Sequence, residues 1–334
     1  MYKRVAVIIL NWNGEKLLRK FLPSVIRNTN PELGRVIVVD NHSSDDSWGC
    51  LEREFASVER VLFEDNFGFA GGYNRALEMI EAEYAVLLNS DVEVAPGWLE
   101  PLVDALDRDP RVVAVQPKIL AYREKDKFEY AGASGGFIDY LGFPFCRGRV
   151  MDCTEVDTGQ YDDEREVFWA TGAALCIRRE RYLEAGGLDE AFFAHMEEID
   201  LCWRLKNSGY ILKVVPSSVV YHLGGGSLPM NHPRKLFLNY RNNLLMLHKN
   251  LGGASRQKVF FVRLLLDCMA GALFLMKGEF ANTRSIMQAY KAFRKLRKRY
   301  PIPAGMKPFA EMYPRSIVLD YFLCGKKKFS DLKF

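Results

Sequence analysis

An apolar run, Tyr84-Ala-Val-Leu-Leu, stops on Asn89-Ser90-Asp91. The run has the length of a buried strand of a parallel sheet, and the polar triplet falls at its carboxyl end. Open α/β sheets bind ligands outside the carboxyl ends of their strands. A carboxylate placed there can hold a divalent cation, and the cation can hold a diphosphate. Two further groups suit the same crevice. Asp40 closes the apolar run Val36–Val39 and could accept the imide N–H of uracil or thymine; its other role would be a helix cap, for which Ser44 and Asp45 also qualify. The segment from Asp65 to Arg75 holds Asn66, Gly68, Gly71, Gly72 and Asn74. Glycine lets backbone approach a phosphate or ribose closely, and a helix N-terminus favours anions. The spacing is neither G-x-G-x-x-G nor a Walker loop.

Later in the chain Glu197, Glu198 and Asp200 open a predicted helix. Three carboxylates at a helix start can complement the macrodipole, or one can serve as a general base. Glu197, Asp200 and Arg204 follow i, i+3 and i+4 spacings and can pair, which leaves Glu198 pointing elsewhere. His222 ends an apolar run before a glycine-rich loop, Gly224 to Ser227. A lone histidine is structural more often than it is a ligand, but this one follows a strand near a carboxylate that could share a metal with it.

The elements that must position these groups alternate. Strands are expected at Val5–Leu10, Val36–Val39, Val58–Phe63, Tyr84–Leu88 and Val112–Gln116, and helices at Glu15–Asn28, Asp45–Glu54, Gly71–Ile80 and Gly97–Asp107, with Pro96 near the start of the last. This is the pattern of βαβ units on a mainly parallel sheet. Residues 121–165 read as loops and short antiparallel strands, partly mobile. Residues 167–178 read as a strand with a turn at Gly172, followed by helices at Arg179–Ala185 and Glu197–Ser208 and strand segments at Val214–Val215 and Val219–Tyr221. From Pro233 the pattern is helical. Val259–Met276 is apolar except for Arg263 and Asp267, which makes a bilayer span marginal and a buried or interfacial helix the expected form.

Composition divides the chain as well. Residues 232–334 carry 21 Lys and Arg against 5 Asp and Glu, a net of +16, although the whole chain is only +4. Such asymmetry argues for two functional halves, residues 1–231 and a basic helical tail over 232–334 that faces an anionic partner. Six of the ten residues from Lys291 to Tyr300 are basic, which suits anionic lipid headgroups. Nothing points to a nucleic acid partner. Seven scattered cysteines without a CxxC pair read as reduced thiols of a cytosolic protein, and the N-terminus reads as a first strand rather than a signal peptide. A nicotinamide-dependent oxidoreductase is disfavoured by the missing G-x-G-x-x-G.

Taken in order, VIILNWN, VVDNHSSDDS, NFGFAGGYN, LLNSD, FWATGAALCIRR, GGLDEAFF, EEIDLCWR and YHLGGGS resemble glycosyltransferase family 2, most closely its rhamnosyltransferase-like bacterial branch, over about residues 3–245. The resemblance implies a GT-A fold, an α/β architecture with a mainly parallel Rossmann-like sheet flanked by helices, as a catalytic domain over 1–231 with a nucleotide-binding half at 1–120 and an acceptor half at 121–231, here followed by the basic extension over 232–334. It implies an inverting transfer from a nucleotide-diphosphate sugar, with dTDP-rhamnose the favoured donor and UDP sugars next, to a glycan or lipid-linked acceptor in cell-surface glycan assembly. By that resemblance Asp40 would recognise the base, and Asn11, Asn13, Asn66, Gly71, Gly72 and Asn74 would line the donor pocket. Asn89-Ser90-Asp91 stands at the Asp-x-Asp position, so Asp91 and His222 would hold Mg²⁺ or Mn²⁺. Glu198 would be the base, with Glu197, Gly172 and Trp169 on the acceptor side. Asn89 replaces the first Asp, and Glu198 replaces the Asp of the usual Glu-Asp pair. These departures keep open a catalytically inactive, sugar-nucleotide-binding scaffold. Implied partners also include an anionic membrane surface at the cytoplasmic face and, alternatively, a second copy of the chain in a homodimer.

Overall fold

The computed structural model describes residues 4–224, 232–305 and 309–334. Its strands are β1 Val5–Asn11, β2 Gly34–Asp40, β3 Glu59–Leu62, β4 Tyr84–Asn89, β5 Val92–Val94, β6 Val112–Ala121, β7 Gly136–Asp139, β8 Pro144–Cys146, β9 Arg149–Val150, β10 Cys153–Thr154, β11 Arg165–Glu166, β12 Ala174–Arg178, β13 Ile211–His222 and β14 Met312–Tyr313. Its helices are α1 Glu15–Asn28, α2 Ser47–Glu54, α3 Gly68–Met79, α4 Glu100–Arg108, α5 Arg179–Glu184, α6 Glu197–Asn207, α7 Pro233–Asn250, α8 Ser255–Met276, α9 Phe280–Leu296 and α10 Ile317–Phe322.

The main sheet runs β11-β13-β6-β12-β4-β1-β2-β3, with β5 added to β13. Strands β3, β2, β1 and β4 are parallel, as the alternation predicts. The sheet as a whole is mixed, because β12 lies antiparallel between β4 and β6. Side chains on β1 alternate between two cores, as the two-residue period of a strand requires. Val5, Val7 and Ile9 join Leu18 and Leu22 of α1 and Leu102 and Leu106 of α4, while Ala6 and Ile8 join Tyr73 and Leu77 of α3. Helix α1 buries Leu18, Phe21, Leu22 and Val25, a one-sided stripe.

Several boundaries differ from expectation. Helix α4 begins at Glu100 rather than Gly97, because Gly97 has φ +68; its first-turn proline is Pro101, not Pro96. Strand β6 runs on past Gln116 through Pro117, which sits beside an interruption of the β6–β13 ladder between Val215 and Val219. The same interruption separates the two expected segments of β13, which form one strand. Only Ala174–Arg178 of the 167–178 run is strand. The 121–165 stretch, expected to be partly mobile, packs tightly: Phe128, Phe137, Ile138, Leu141, Phe145 and Val150 are all buried. It builds a second sheet, β10-β9-β8-β7-β14.

The charge boundary near residue 231 is not a packing boundary. Strand β14 pairs parallel with β7, and the Asp139 carboxylate accepts the Ile317 amide at 2.9 Å. The rings of Phe329 and Phe334 lie 4.9 and 5.3 Å from that of Phe137. Helix α7 packs on both α6 and α9.

Candidate active site

The carboxyl ends of β1 and β2 lie side by side, with Asn11 opposite Asp40. Both are fully buried. Asp40 accepts from Asn11 Nδ2 at 3.0 Å and from the Ser43 amide at 2.8 Å, so it caps no helix; Asp45 accepts the Ser47 amide at the start of α2 instead. Asn11 Oδ1 is buried without a partner. A side chain on Gly14 would collide with that oxygen and lie beside Ser90 Oγ, which ties the triplet after β4 to the ends of β1 and β2. Asn13, at φ +51, accepts the amides of Ser44 and Asp45 and fixes the loop after β2. Trp12 between them is exposed.

Asp91 and His222 meet because β5, which begins one residue after Asp91, zips antiparallel onto the end of β13 with Val92 opposite His222. Asp91 Oδ1 lies 3.1 Å from His222 Nε2, and Asn89 Nδ2 lies 3.5 Å from the same nitrogen. On the other side of the ring Nδ1 is 3.4 Å from Glu129 Oε2, a charge contact without hydrogen-bond geometry. All three residues are buried. Burial alone would push the imidazole pKa down; the Asp91 and Glu129 carboxylates outweigh it and hold it at about 10. Among the described residues no group of three or more His, Cys, Asp or Glu is arranged to enclose a metal ion. Asp91 and His222 alone offer one oxygen and one nitrogen ligand, a donor set that suits Mg²⁺ or Mn²⁺ if a diphosphate and water complete the shell. Glu129 behind the ring stands on the side from which a carboxylate would orient a metal-ligating histidine. Nothing in the sequence singled it out among the acidic residues of 121–165.

The acidic helix start is reached through β12. The Asn89 amide donates to Ala173 O at 3.0 Å. At the preceding residue, a side chain on Gly172 would lie 3.7 Å from Glu198 Cβ and 3.4 Å from the Phe69 ring. Gly172 therefore opens space between Glu198 and the strand that carries the triplet. Glu197 and Glu198 each keep one buried carboxyl oxygen without a partner. Burial raises the pKa of both, and for Glu197 the neighbouring Glu198 charge adds to the rise; backbone amides oppose it at Glu198. Glu197 does not join the expected set of pairs. Arg204 donates to Asp200 at 2.9 Å, and Lys249 of α7 reaches the same carboxylate at 2.8 Å.

The loop before α6 is held in a costly shape. Phe193, His195 and Met196 have φ of 67, 71 and 73°, the left-handed region that non-glycine residues avoid. Asn242 of α7, fully buried, donates to Phe192 O, Ala194 O and His195 O at 2.9, 2.8 and 2.7 Å, and Arg241 donates to Ala191 O and Phe192 O. The sequence did not mark Asn242.

Other expected site residues carry structural contacts of their own. Asn66 accepts from Asn41 and from the Gly68 amide, closing the turn into α3. Asn74 is fully used by Leu188 and Tyr182. Gly72 packs α3 against Leu10, and Gly71 faces Arg75 and Glu190. Trp169 is buried, with Nε1 bonded to Phe137 O at 2.9 Å and its indole against Gly136, so it offers no sugar platform. Gly225 to Ser227 of the last motif lie outside the described residues. A cleft of about 710 Å³ beside α4, lined by Glu100, Asp104, Arg108 and Glu164, shares none of these residues.

Comparison with known proteins agrees with this geometry. Residues 6–153 match the family model described as Glycosyl transferase family 2. The match reaches the triplet but stops before Gly172, Glu198 and His222. The chain is 26% identical over 259 residues to an N-acetylglucosaminyl-diphospho-decaprenol L-rhamnosyltransferase of Mycobacterium tuberculosis, covering 72% of this chain and 83% of that one. It is 28% identical to the O-antigen biosynthesis protein RfbC of Myxococcus xanthus over 64% of this chain and 16% of that protein. Among solved structures, GalNAc-T7 with UDP, GalNAc and Mn²⁺ aligns with a TM-score of 0.58 at 15% identity, over 91% of this chain and 59% of that one. The mannosyltransferase PcManGT of Pyrobaculum calidifontis with GDP-Man and Mn²⁺ aligns at 0.53 and 16%, over 91% and 77%. At such identities these structures establish the GT-A fold alone.

Proposed function

We propose that the chain is a family 2 glycosyltransferase that transfers a sugar from a nucleotide-diphosphate donor to an acceptor hydroxyl with inversion at the anomeric carbon; the match of residues 6–153 to that family's model and the likeness to the mycobacterial rhamnosyltransferase support this. Support for the donor site comes from Asp40 and Asn11 at paired strand ends and from the buried Asp91–His222 pair beside Asn89. The observation that carries the reading is Glu198, whose Oε2 is buried without a partner and whose Cβ lies 3.7 Å from where a side chain on Gly172 would begin, next to the strand that pairs with the triplet's own.

In the proposed step Glu198 takes the proton of the acceptor hydroxyl. The hydroxyl oxygen bonds to the anomeric carbon from the face opposite the diphosphate, and the bond from that carbon to the diphosphate oxygen breaks, its electron pair leaving with the nucleotide. A Mg²⁺ or Mn²⁺ bound by Asp91 and His222 would supply Lewis-acid stabilisation of the departing charge. Glu129, 3.4 Å from Nδ1, would favour the ring orientation in which Nε2 faces Asp91. Raised by burial, Glu198 is a stronger base than an exposed carboxylate, matched to proton abstraction nearer neutral pH.

For the donor we take dTDP-L-rhamnose, and for the acceptor a polyprenyl-diphosphate-linked saccharide at the cytoplasmic face of the plasma membrane. The rhamnosyl group and the lipid-diphosphate acceptor follow the activity named for the mycobacterial relative, while the dTDP carrier and the cytoplasmic face follow the family resemblance. Glu198→Gln is expected to lower transfer by about 10²–10⁴-fold while donor affinity stays within about twofold. Near-normal turnover of the variant removes Glu198 from the role. Wild-type protein that binds the nucleotide sugar with Mn²⁺ but neither transfers nor hydrolyses it is the inactive scaffold instead.

A further inference from the structure

Helix α8 is long and apolar enough to cross a membrane by length and composition. The structure shows where its two interrupting charges go. Arg263 and Asp267 are both buried. Arg263 donates to Leu141 O at 3.0 Å and to Asn243 Oδ1, and lies 3.6 Å from Asp267, which accepts from Tyr290 at 2.7 Å. With Val259 and Gly271 they form an inward stripe at four-residue spacing. The outward face, from Phe261 through Leu264, Leu265, Met269 and Leu273 to Met276, is exposed and carries no charged side chain. Twenty-two residues span about 33 Å, so this is a continuous strip rather than scattered apolar positions, and such strips mark interaction surfaces.

The surroundings are cationic. Lys291, Arg294, Lys295, Arg297, Lys298 and Arg299, from the end of α9 onward, are exposed, and no Asp or Glu occurs between Phe280 and Ala310. We propose that the outward face of α8 lies flat in the headgroup region of an anionic bilayer, with the basic end of α9 on the lipid headgroups. The helix does not span, because its inward stripe is bonded into the protein. Pairing this face with a second copy would bring two tails of net +16 together, whereas an anionic surface is the complementary partner. This goes beyond the transfer reaction and does not depend on it.

The test is flotation of the full chain with phosphatidylcholine vesicles, with and without phosphatidylglycerol, at low and high salt and without donor or acceptor. Deleting the tail is unsuitable, since β14, Phe329 and Phe334 belong to the core around Phe137. The double variant Leu265→Glu, Met269→Glu alters only outward positions and is expected to keep the wild-type melting curve while losing vesicle binding by about tenfold or more. Lys295→Glu with Lys298→Glu is expected to abolish the preference for anionic vesicles, and high salt to weaken wild-type binding. The proposal is overturned if wild type does not float with anionic vesicles, or if the Leu265/Met269 variant floats equally well. It is also overturned if wild type sediments as a dimer that those substitutions dissociate. Because the readout needs neither substrate, none of these failures bears on the transfer reading.

Discussion

Replacing Asn242 by leucine would test whether α7 sets the position of the proposed base. Leucine matches asparagine closely in volume but removes the amide that faces Phe192 O, Ala194 O and His195 O. Phe192 O keeps Arg241; the other two carbonyls, on half-buried residues, lose this donor, so the full burial cost is an upper bound for them. Leaving a buried carbonyl unsatisfied costs about 1–3 kcal/mol, so the variant should lose up to about 2–6 kcal/mol, part of it through relaxation of the loop. At on the order of 2 °C per kcal/mol for a chain of this size, scanning fluorimetry should show a fall of up to roughly 4–12 °C. The left-handed residues Phe193, His195 and Met196 would then drift, and Glu198 follows them two residues on. A shift of about 1 Å at a catalytic group can cost about 10²-fold, so initial transfer rates should fall by that order. Donor affinity should hold, since Asp40, Asp91 and His222 sit on strand ends. A lowered melting temperature with an unchanged transfer rate would refute the coupling of this loop to the base.

Glu198→Gln should also change stability with pH. The folded-state pKa of Glu198 is raised above its ordinary 4.5, so the folded protein retains a proton that the unfolded chain has released, and stability falls as pH climbs through that window. The variant should match wild type near pH 4 and melt higher than wild type at pH 8; an equal difference at both ends contradicts the assignment. Glu129→Gln should weaken Mn²⁺ affinity in calorimetric titration by about 10–100-fold, and an unchanged isotherm would show that Glu129 does not orient His222. Trp169→Phe should lower the melting temperature through loss of the bond to Phe137 O without raising the acceptor KM. A raised KM with unchanged stability would restore the sugar platform.

Periodicity made the first half of the fold legible. Helix α1 was bounded to the residue, because its stripe of Leu18, Phe21, Leu22 and Val25 is regular and its flanks are polar. The parts that were not legible are short or non-local. Strand β5 has three residues and β14 has two, too few for any period to register, yet β5 is what brings Asp91 to His222 and β14 is what ties the tail to β7. Asn66 and Asn74 show a chemical limit of reading a site from sequence. The amide that could line a nucleoside pocket is the same group that satisfies backbone in a tight turn, and composition cannot separate the two. Glu129 and Asn242 act through partners about 90 and 50 residues away in sequence, at His222 and at the loop before α6, a relation that only the folded chain contains.

The parallel pairing of β7 with β14 has a consequence for how the chain is made. Asp139 waits for an amide 178 residues downstream. At a translation rate of about 5–20 residues per second, that interval is on the order of ten to thirty seconds. Throughout it the rings of Phe137 and Phe145 lack their later neighbours Phe329 and Phe334, and the edge of β7 has no partner on that side. The small sheet is therefore completed only after residues 312–334 have been made, and until then the nascent chain exposes this edge and these rings to aggregation and to chaperone capture, although the strands of its parallel half are already synthesised.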